Sequence, residues 1–149
     1  MALKILKRSA TPHDAQWLWE IYVDLLKEPI EQQWGWDQGN QARFFNREFD
    51  INRYQIILLN KRRSGAYYVN EYEDYLHLRM LLVLQEFQHQ GIGKHVIGEL
   101  KKQASLSQRD IRLSVIKSNP VADFYLKLGF VIKDEDDGCF GLTWSSVKT

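Results

Sequence analysis

Two glycines, Gly91 and Gly93, stand in the segment QHQGIGK (Gln88 to Lys94), between an apolar run typical of a strand and one typical of a helix. The first N–H groups of a helix have no acceptor within the helix, and the helix dipole adds partial positive charge there. Glycine has no side chain to keep a ligand away from that backbone. The segment therefore predicts a site for an anion such as a phosphate, with a simple tight turn as the alternative.

Two well-known phosphate-binding glycine motifs do not fit this segment. A dinucleotide-binding fingerprint requires a third glycine where the chain has Val96. A P-loop requires Ser or Thr directly after its Lys, whereas His95 follows Lys94. A nucleotide-binding domain is therefore disfavoured.

The N-terminal part of the chain predicts one strand followed by two helices. LKILKRS (residues 3–9) has the composition of a strand, and Thr11 with Asp14 has the spacing of a capping box. Apolar residues at helical spacing follow, and Pro29 predicts the end of that helix. A second short helix is predicted around residues 40–49 from the apolar residues on one of its faces.

The rest of the chain predicts a strand-rich centre followed by alternating helices and strands. Further strands are predicted at YQIILLN and GAYYVN around a polar turn KRRS, at YLHLRMLLVL, at DIRLSVIK, and in a closing hairpin around KDEDDG. Helices are predicted after Gly91 and in SNPVADFYLKLGF, where Gly129 is the stop signal. The order β-α-α-β-β-β-α-β-α-β-β predicts a single α/β (α+β) domain over residues 1–149, in which about four helices cover a mixed central sheet of about seven strands.

Two of these segments together resemble the GNAT N-acetyltransferase superfamily. QHQGIG matches the family's pyrophosphate-binding pattern Gln/Arg-x-x-Gly-x-Gly/Ala, with Gln85 where proline is expected. SNPVADFYLKLGF resembles the second family signature, an Asn-Pro followed by Phe/Leu-Tyr and a Leu-Gly-Phe ending. The predicted element order is also that of the family, so the resemblance implies the GNAT fold.

The resemblance implies acetyl-CoA as the co-substrate and no metal. The pyrophosphate of coenzyme A would be held by the backbone of Gln88, His89, Gln90, Gly91, Ile92, Gly93 and Lys94. Its pantetheine arm would pair with the end of the preceding strand, at Leu82, Val83 and Leu84. Asn119 would bond near the pantetheine, with capping of its own helix as the alternative.

The resemblance also implies transfer of an acetyl group to a primary amine of a small molecule or a protein, by direct attack in a ternary complex. Tyr125 matches the tyrosine that donates a proton to the departing thiolate in many relatives, the alternative being a ring of the core. His77 stands where many relatives have a catalytic glutamate, and imidazole suits a base near neutral pH, although a lone strand histidine is more often structural. A water molecule or an acidic residue of the preceding turn (Glu71, Glu73 or Asp74) are the other candidates for the base.

Substrate contacts in this family usually come from the loop between the first two helices and from the C-terminal hairpin. The resemblance thus makes Trp34 and Trp36 candidates for an aromatic wall that holds an apolar or cationic group, or rings that pack under the loop. Arg79 is predicted on the same strand face as His77, where it would meet a substrate carboxylate or pair with a structural acid. Cys139, the only cysteine, is predicted to be a packed thiol and not an acyl-enzyme nucleophile, since it lies away from both motifs.

Composition limits the remaining function classes. With 20 basic and 19 acidic residues the net charge is +1, which gives no reason to expect nucleic acid or a membrane surface as a partner. Charges interrupt the apolar residues of MALKILKRSA, so no secretory signal is predicted and a cytoplasmic location is expected. A homodimer is possible by analogy with the family. The alternative function is a non-catalytic acyl-CoA-binding sensor with the same fold.

Overall fold

A computed structural model describes residues 4–147 as one seven-stranded sheet with helices on both faces. In chain order the strands and α-helices are β1 (Ile5–Ser9), α1 (Ala15–Trp34), α2 (Gln38–Glu48), β2 (Gln55–Leu59), β3 (Arg62–Glu71), β4 (Tyr75–Val83), α3 (Ile92–Leu106), β5 (Asp110–Ile116), α4 (Ala122–Lys127), β6 (Val131–Glu135) and β7 (Cys139–Trp144). The order of strands in the sheet is β1-β2-β3-β4-β5-β7-β6. The pair β4–β5 is parallel, and the other neighbouring pairs are antiparallel, so the predicted order and the mixed sheet are confirmed.

Each face of the sheet has its own apolar core. The core under α1 and α2 contains Leu18, Phe45 and Tyr54, all nearly inaccessible to solvent. The core under α3 and α4 contains Ile97 and Leu113 together with Tyr125 of the second sequence motif. Because a sheet covered on both sides needs side chains that pack in both directions, the central strands are rich in apolar residues on alternate and sometimes consecutive positions.

Strand β4 contains a β-bulge at Arg79 that changes the faces on which its side chains lie. Tyr68 of β3 pairs with Met80, and the next residue of β3 pairs with Leu78. Arg79 therefore has no cross-strand pairing partner on β3. Leu78 consequently packs in the α3–α4 core, whereas Met80 packs in the α1–α2 core. Regular alternation would have kept both on one face. The bulge therefore places His77, Arg79 and Met80 on the same side of the sheet.

The sheet opens between β4 and β5. Their parallel pairing covers Tyr75, Leu76 and His77 of β4, opposite residues 110–112 of β5. Beyond this point the ladder between the two strands ends, although β4 continues to Val83 and β5 to Ile116. The second half of β4 therefore presents backbone groups to a gap, and buried backbone groups require hydrogen-bond partners.

The first helix does not end at Pro29, contrary to the prediction. Helix α1 continues to Trp34, and Pro29 lies within it, buried together with Ile30. Proline removes one hydrogen bond to the preceding turn, but burial of Ile30 offsets that loss and the Ser118 hydroxyl donates to the Pro29 carbonyl at 2.6 Å. Trp34 is accordingly in the last helical turn, and the loop before α2 is limited to residues 35–37.

Other boundaries differ by a few residues from the predicted ones. The predicted turn KRRS is shorter, because Asn60 and Lys61 have φ angles of 50° and 72° and β3 begins at Arg62. The start of the first predicted strand, Leu3, lies outside the described residues. The stop after α4 is as predicted, since Gly129 has a φ of 94°.

Asp14 is a buried carboxylate that joins three segments. Arg8 Nη1 and Nη2 donate to its two oxygens at 2.8 and 3.0 Å, and Arg63 Nη1 of β3 donates at 3.2 Å. The Thr11 N–H donates at 2.9 Å, so the predicted capping pair is present. These bonds, that of Arg8 foremost, hold the pKa of Asp14 well below its usual range.

Candidate active site

Two cavities meet at the gap between β4 and β5. The His77 cavity, of about 540 Å³, extends towards α1 and α2, and the Gly91 cavity, of about 490 Å³, extends towards the N-terminus of α3. Both are within the roughly 300–1,000 Å³ that small-molecule sites occupy. They share a boundary formed by Leu26, Leu81, Leu82, Asn119, Val121 and Tyr125.

The Gly91 cavity exposes the start of α3. Gly91 is in the left-handed region with a φ of 83°, and a Cβ added to it would meet no atom within 4 Å. No side chain caps the helix, whose first backbone bond runs from the His95 N–H to the Gly91 carbonyl at 2.9 Å. The N–H groups of Ile92, Gly93 and Lys94 therefore have no acceptor within the helix and border open space, as an anion site requires.

Gly93 brings the two sequence motifs into contact. A Cβ on Gly93 would lie 3.0 Å from the ring of Phe124, which belongs to the second motif. At that distance the ring would have to shift. The glycine thus allows α3 and α4 to approach each other beside the Gly91 cavity, a requirement separate from the backbone freedom at Gly91.

Gln88 organises the turn through its own side chain. Its Nε2 donates to the carbonyl of Val83 at 2.8 Å, and its N–H donates to the carbonyl of Gln85 at 3.2 Å. The backbone N–H of Gln88 is therefore engaged and is not one of the free donors of the turn, contrary to expectation. His89 lines the Gly91 cavity, whereas Gln90 lines neither cavity.

The strand edge that faces the gap consists of Leu81 and Val83. The N–H of Leu84 donates to Ser64 of β3 at 2.9 Å, and the carbonyl of Leu82 also lies against β3. Because backbone groups of consecutive residues point to opposite edges of a strand, those of Leu81 and Val83 point to the gap. Of the three predicted residues, Leu82 contributes its side chain and Leu84 lines neither cavity. The sequence did not identify Leu81, because its edge depends on the bulge.

Tyr125 lies at the boundary of both cavities and is also part of the core. It is 6% exposed and packs edge-to-face against Phe124 and Phe130. Burial raises the pKa of Tyr125, so its hydroxyl is protonated throughout the physiological range. Tyr125 is therefore both a ring of the core and a group that faces the site, the two roles considered from the sequence.

Asn119 also touches both cavities. Its side-chain oxygen accepts a hydrogen bond from the N–H of Val121 at 3.1 Å. Asn119 therefore caps the turn that leads into α4, while its amide nitrogen retains two donors that this bond does not use.

His77 lies on the wall of the larger cavity, half-buried on β4. Burial and the positive charge of Arg79 lower the pKa of His77. A lowered pKa favours the neutral imidazole, the form that accepts a proton. Asn70 is its cross-strand neighbour on β3, and the Asn70 side-chain oxygen is buried without a hydrogen-bond partner among the residues described.

Arg79 pairs with a structural acid at the end of α2. Its Nη1 donates to the backbone carbonyl of Glu48 at 3.0 Å, and its Nη2 lies 3.8 Å from the Glu48 carboxylate. The guanidinium carbon lies 4.6 Å from the centre of the Phe49 ring. Arg79 is thus fixed on the cavity wall, on the same face as His77 as predicted.

The two tryptophans have different surroundings. Trp34 lines the His77 cavity, and its ring covers Gly138 so closely that a Cβ there would lie 2.3 Å from a ring carbon. Trp36 lines neither cavity; its ring nitrogen donates to Gln38 at 2.9 Å and its ring packs 6.5 Å from that of Tyr22. Trp34 therefore borders the site, and Trp36 packs beneath the loop.

The acidic residues proposed as alternative bases lie elsewhere. Glu71 pairs with Arg109 at 3.0 Å, and neither Glu73 nor Asp74 lines a cavity. Within residues 4–147, no aspartate or glutamate lines either cavity. His77 and a water molecule are the candidates for a base that this geometry leaves.

Cys139 is closer to the site than the sequence suggested. It pairs with Ile116 at the end of β5 and lines the His77 cavity. Burial raises the pKa of the Cys139 thiol, with a further contribution from Asp136. A raised pKa lowers the thiolate fraction, in agreement with a packed thiol.

Several cavity residues were missed because no short motif contains them. Tyr22, Gln41, Phe44 and Ser114 reach the His77 cavity from α1, α2 and β5. The Tyr22 hydroxyl donates to Gln41 Oε1 at 2.7 Å, and burial raises the pKa of Tyr22 to about 12. The aromatic spacing in α1 was the only signal, and it equally describes a core-facing helix.

No group of three or more His, Cys, Asp or Glu side chains placed to hold a metal ion occurs among the described residues. Likewise, no helix in the described part of the chain is long and apolar enough to cross a membrane.

Comparison with known proteins identifies the family. The family described as "Acetyltransferase (GNAT) domain" matches residues 27–144, and the chain belongs to it. No match was found among curated proteins.

Solved structures share the fold along nearly the whole chain. The PaiA N-acetyltransferase of Thermoplasma acidophilum in complex with coenzyme A is 20% identical, with a TM-score of 0.77 over 97% of this chain and 99% of that one. Naa50 of Arabidopsis thaliana in complex with the bisubstrate analogue CoA-Ac-MVNAL is 18% identical, with a TM-score of 0.67 over 95% and 98%. PH1933 of Pyrococcus horikoshii is 17% identical, with a TM-score of 0.72 over 97% and 98%.

Proposed function

We propose that this chain is an acetyl-CoA-dependent N-acetyltransferase that acetylates a primary amine of a small molecule or a protein by direct attack in a ternary complex. One observation carries the proposal: two cavities meet at Tyr125, with the open start of α3 in one and the half-buried His77 in the other. One cavity suits the donor and the other the acceptor, and a reaction between them requires such a junction.

The Gly91 cavity fits coenzyme A. The free N–H groups at the start of α3 suit its pyrophosphate. Gly91 has no side chain and borders open space, which leaves room for that group. Leu81 and the N–H of Val83 point to the gap and would pair with the amides of a pantetheine arm, whereas the Val83 carbonyl already accepts from Gln88 Nε2. Acetyl-CoA would supply the acetyl group as an activated thioester.

His77 is the proposed base. An amine attacks only in its neutral form, so a proton must be removed from the ammonium or from the attacking nitrogen. The lowered pKa of His77 keeps the imidazole free to accept that proton at neutral pH. The guanidinium of Arg79 in the same wall also disfavours a protonated amine beside it.

Tyr125 is the proposed acid. Its raised pKa keeps the hydroxyl protonated before the thiolate departs, although the same shift makes the phenol a weaker acid. The rings of Phe124 and Phe130 pack edge-to-face against the Tyr125 ring and so hold that ring in place. The proton removed at His77 and the proton delivered at Tyr125 are separate, since His77 lines the His77 cavity alone and Tyr125 lies where the two cavities meet.

The proposal is tested by measuring coenzyme A binding by calorimetry and acetylated product by mass spectrometry over a panel of amines. Tyr125→Phe should lower kcat by about 100-fold with unchanged coenzyme A affinity. Tyr72→Phe, at an exposed tyrosine that lines neither cavity, is the matched control and should be neutral. Tight binding without turnover on any amine would instead support the non-catalytic sensor. The cytoplasmic location and a homodimer remain predictions.

A further inference from the structure

Among the described residues, no acidic side chain lines the His77 cavity, the proposed site of the acceptor amine. Its wall is mostly aliphatic and aromatic, with rings from Tyr22, Trp34, Phe44 and Phe49. Its polar groups are a histidine, an arginine, amides, hydroxyls and one thiol. An ammonium group taken into such a wall would lose its hydration without gaining a carboxylate, which is costly.

Among the described residues, Arg79 is the only Lys, Arg, Asp or Glu side chain in this wall, and its charge is positive. Arg79 is held at the cavity wall by a hydrogen bond to the Glu48 carbonyl and by the Phe49 ring. The Glu48 carboxylate is at 3.8 Å from Arg79 and does not itself line the cavity. Glu48 offsets part of the Arg79 charge from outside the cavity, and within residues 4–147 no carboxylate lines the cavity to offset a second cation.

The acidic hairpin KDEDDG does not change this balance. Asp136 is the cap of the turn, accepting from the N–H groups of Gly138 and Cys139 at 2.9 and 2.7 Å. Glu135 pairs with Lys117 at 2.7 Å. None of the acidic residues of the hairpin lines the cavity, so they offer no carboxylate to a bound acceptor.

We propose that the acceptor is a primary amine on an uncharged apolar body, an alkylamine or arylalkylamine, and that the cavity excludes amines with a second positive charge. The inference rests on the proposed acetyltransferase function and specifies its substrate class. The aromatic rings supply the apolar contacts, and the reacting amine is neutral when it attacks. A carboxylate at the far end of the acceptor is weakly tolerated, because Glu48 already engages Arg79.

Three acceptors of the same length test the proposal: hexylamine, 6-aminohexanoate and 1,6-diaminohexane. They differ in the group at the far end, which is neutral, negative or positive. We expect kcat/KM to fall in that order, with the diamine at least about tenfold below hexylamine. A diamine used as well as hexylamine would overturn the inference.

A variant places a carboxylate in the wall without changing its shape. Gln41 lines the cavity and accepts the hydrogen bond of the Tyr22 hydroxyl, and a glutamate would accept the same bond. Gln41→Glu should raise kcat/KM for the diamine relative to hexylamine by at least about tenfold. An unchanged ratio would contradict the assignment of this cavity to the body of the acceptor.

Coenzyme A binding separates failure of the inference from failure of the proposed function. If coenzyme A binds and another amine is acetylated while all three six-carbon amines are inert, the substrate class is wrong and the acetyltransferase stands. If coenzyme A does not bind, the proposed function itself fails. Calorimetry on the wild-type protein is therefore measured before the amine panel.

Discussion

The Gly91 cavity and the His77 cavity are built in opposite ways. The end of the first cavity at the start of α3 is formed by the backbone of one continuous turn, where Gly93 lies against Phe124. The second uses side chains that come from α1, α2, β4, β5 and β7. Backbone recognition needs a few fixed residue types at fixed spacing, whereas side-chain recognition can be assembled from distant positions. A donor site of this kind is therefore visible in a sequence, and an acceptor site is not.

A substitution in one cavity should leave the function of the other cavity unchanged. His77→Gln is the strongest test of this separation. Removal of the base should lower kcat/KM by about 100-fold while the coenzyme A dissociation constant stays within about twofold of the wild type. Stopped-flow or product assays give the first quantity and calorimetry the second. A parallel loss of coenzyme A affinity would show that the two sites are one.

The same variant gives a pH test. Because the pKa of His77 is lowered, the neutral imidazole persists to pH values below its ordinary pKa of about 6.5. The ratio of wild-type to variant kcat/KM cancels the ionisation of the acceptor amine. It should rise with pH and level off below about 6.5. A ratio that is constant with pH would leave a water molecule as the base.

Asp14 tests whether the scaffold can be weakened without touching either cavity. Asp14→Asn should lower the free energy of unfolding by about 2 kcal/mol at pH 7, through lost bonds to Arg8 and Arg63. The pKa of the folded carboxyl is depressed, so its contribution is complete above about pH 4 and is lost as the pH falls. The difference between wild type and variant in urea unfolding should shrink on acidification. Asp24→Asn, at an exposed position, is the control; an equal effect there would refute the assignment.

Substitutions at Gly91 separate the effect of charge at the start of α3 from the effect of backbone conformation. Aspartate and asparagine both tolerate the left-handed region and have the same shape, and open space surrounds the position. Gly91→Asp should weaken coenzyme A binding about tenfold more than Gly91→Asn, because it sets a negative charge beside a pyrophosphate. Calorimetry measures both constants. Equal affinities would place the pyrophosphate elsewhere.

Gly138→Ala should have the smallest effect, on the acceptor side alone. The new methyl group displaces the Trp34 ring, which is 59% exposed and free to move outwards. We expect KM for the amine to rise about three- to tenfold with unchanged coenzyme A affinity. Gly98→Ala, where a Cβ meets no atom within 4 Å, is the matched control.

The sequence predicted the order of elements and the donor turn because these depend on local periodicity and short motifs. It failed at Pro29, where tertiary burial of Ile30 keeps the helix intact past a residue that usually ends one. It also missed Leu81, because a bulge at Arg79 decides which edge of β4 faces the gap. The acceptor wall was least predictable, since contacts such as Tyr22 with Gln41 join residues whose proximity no local pattern encodes.

The position of Cys139 makes the protein a natural subject for site-specific labelling. It is the only thiol of the chain, it borders the His77 cavity, and its raised pKa slows its reaction with thiol reagents. A fluorophore attached there would report on the His77 cavity, and no engineered cysteine is needed. The same thiol contributes a stoichiometric background to assays that count released coenzyme A with thiol dyes, so a Cys139→Ser protein is the appropriate reference for such measurements.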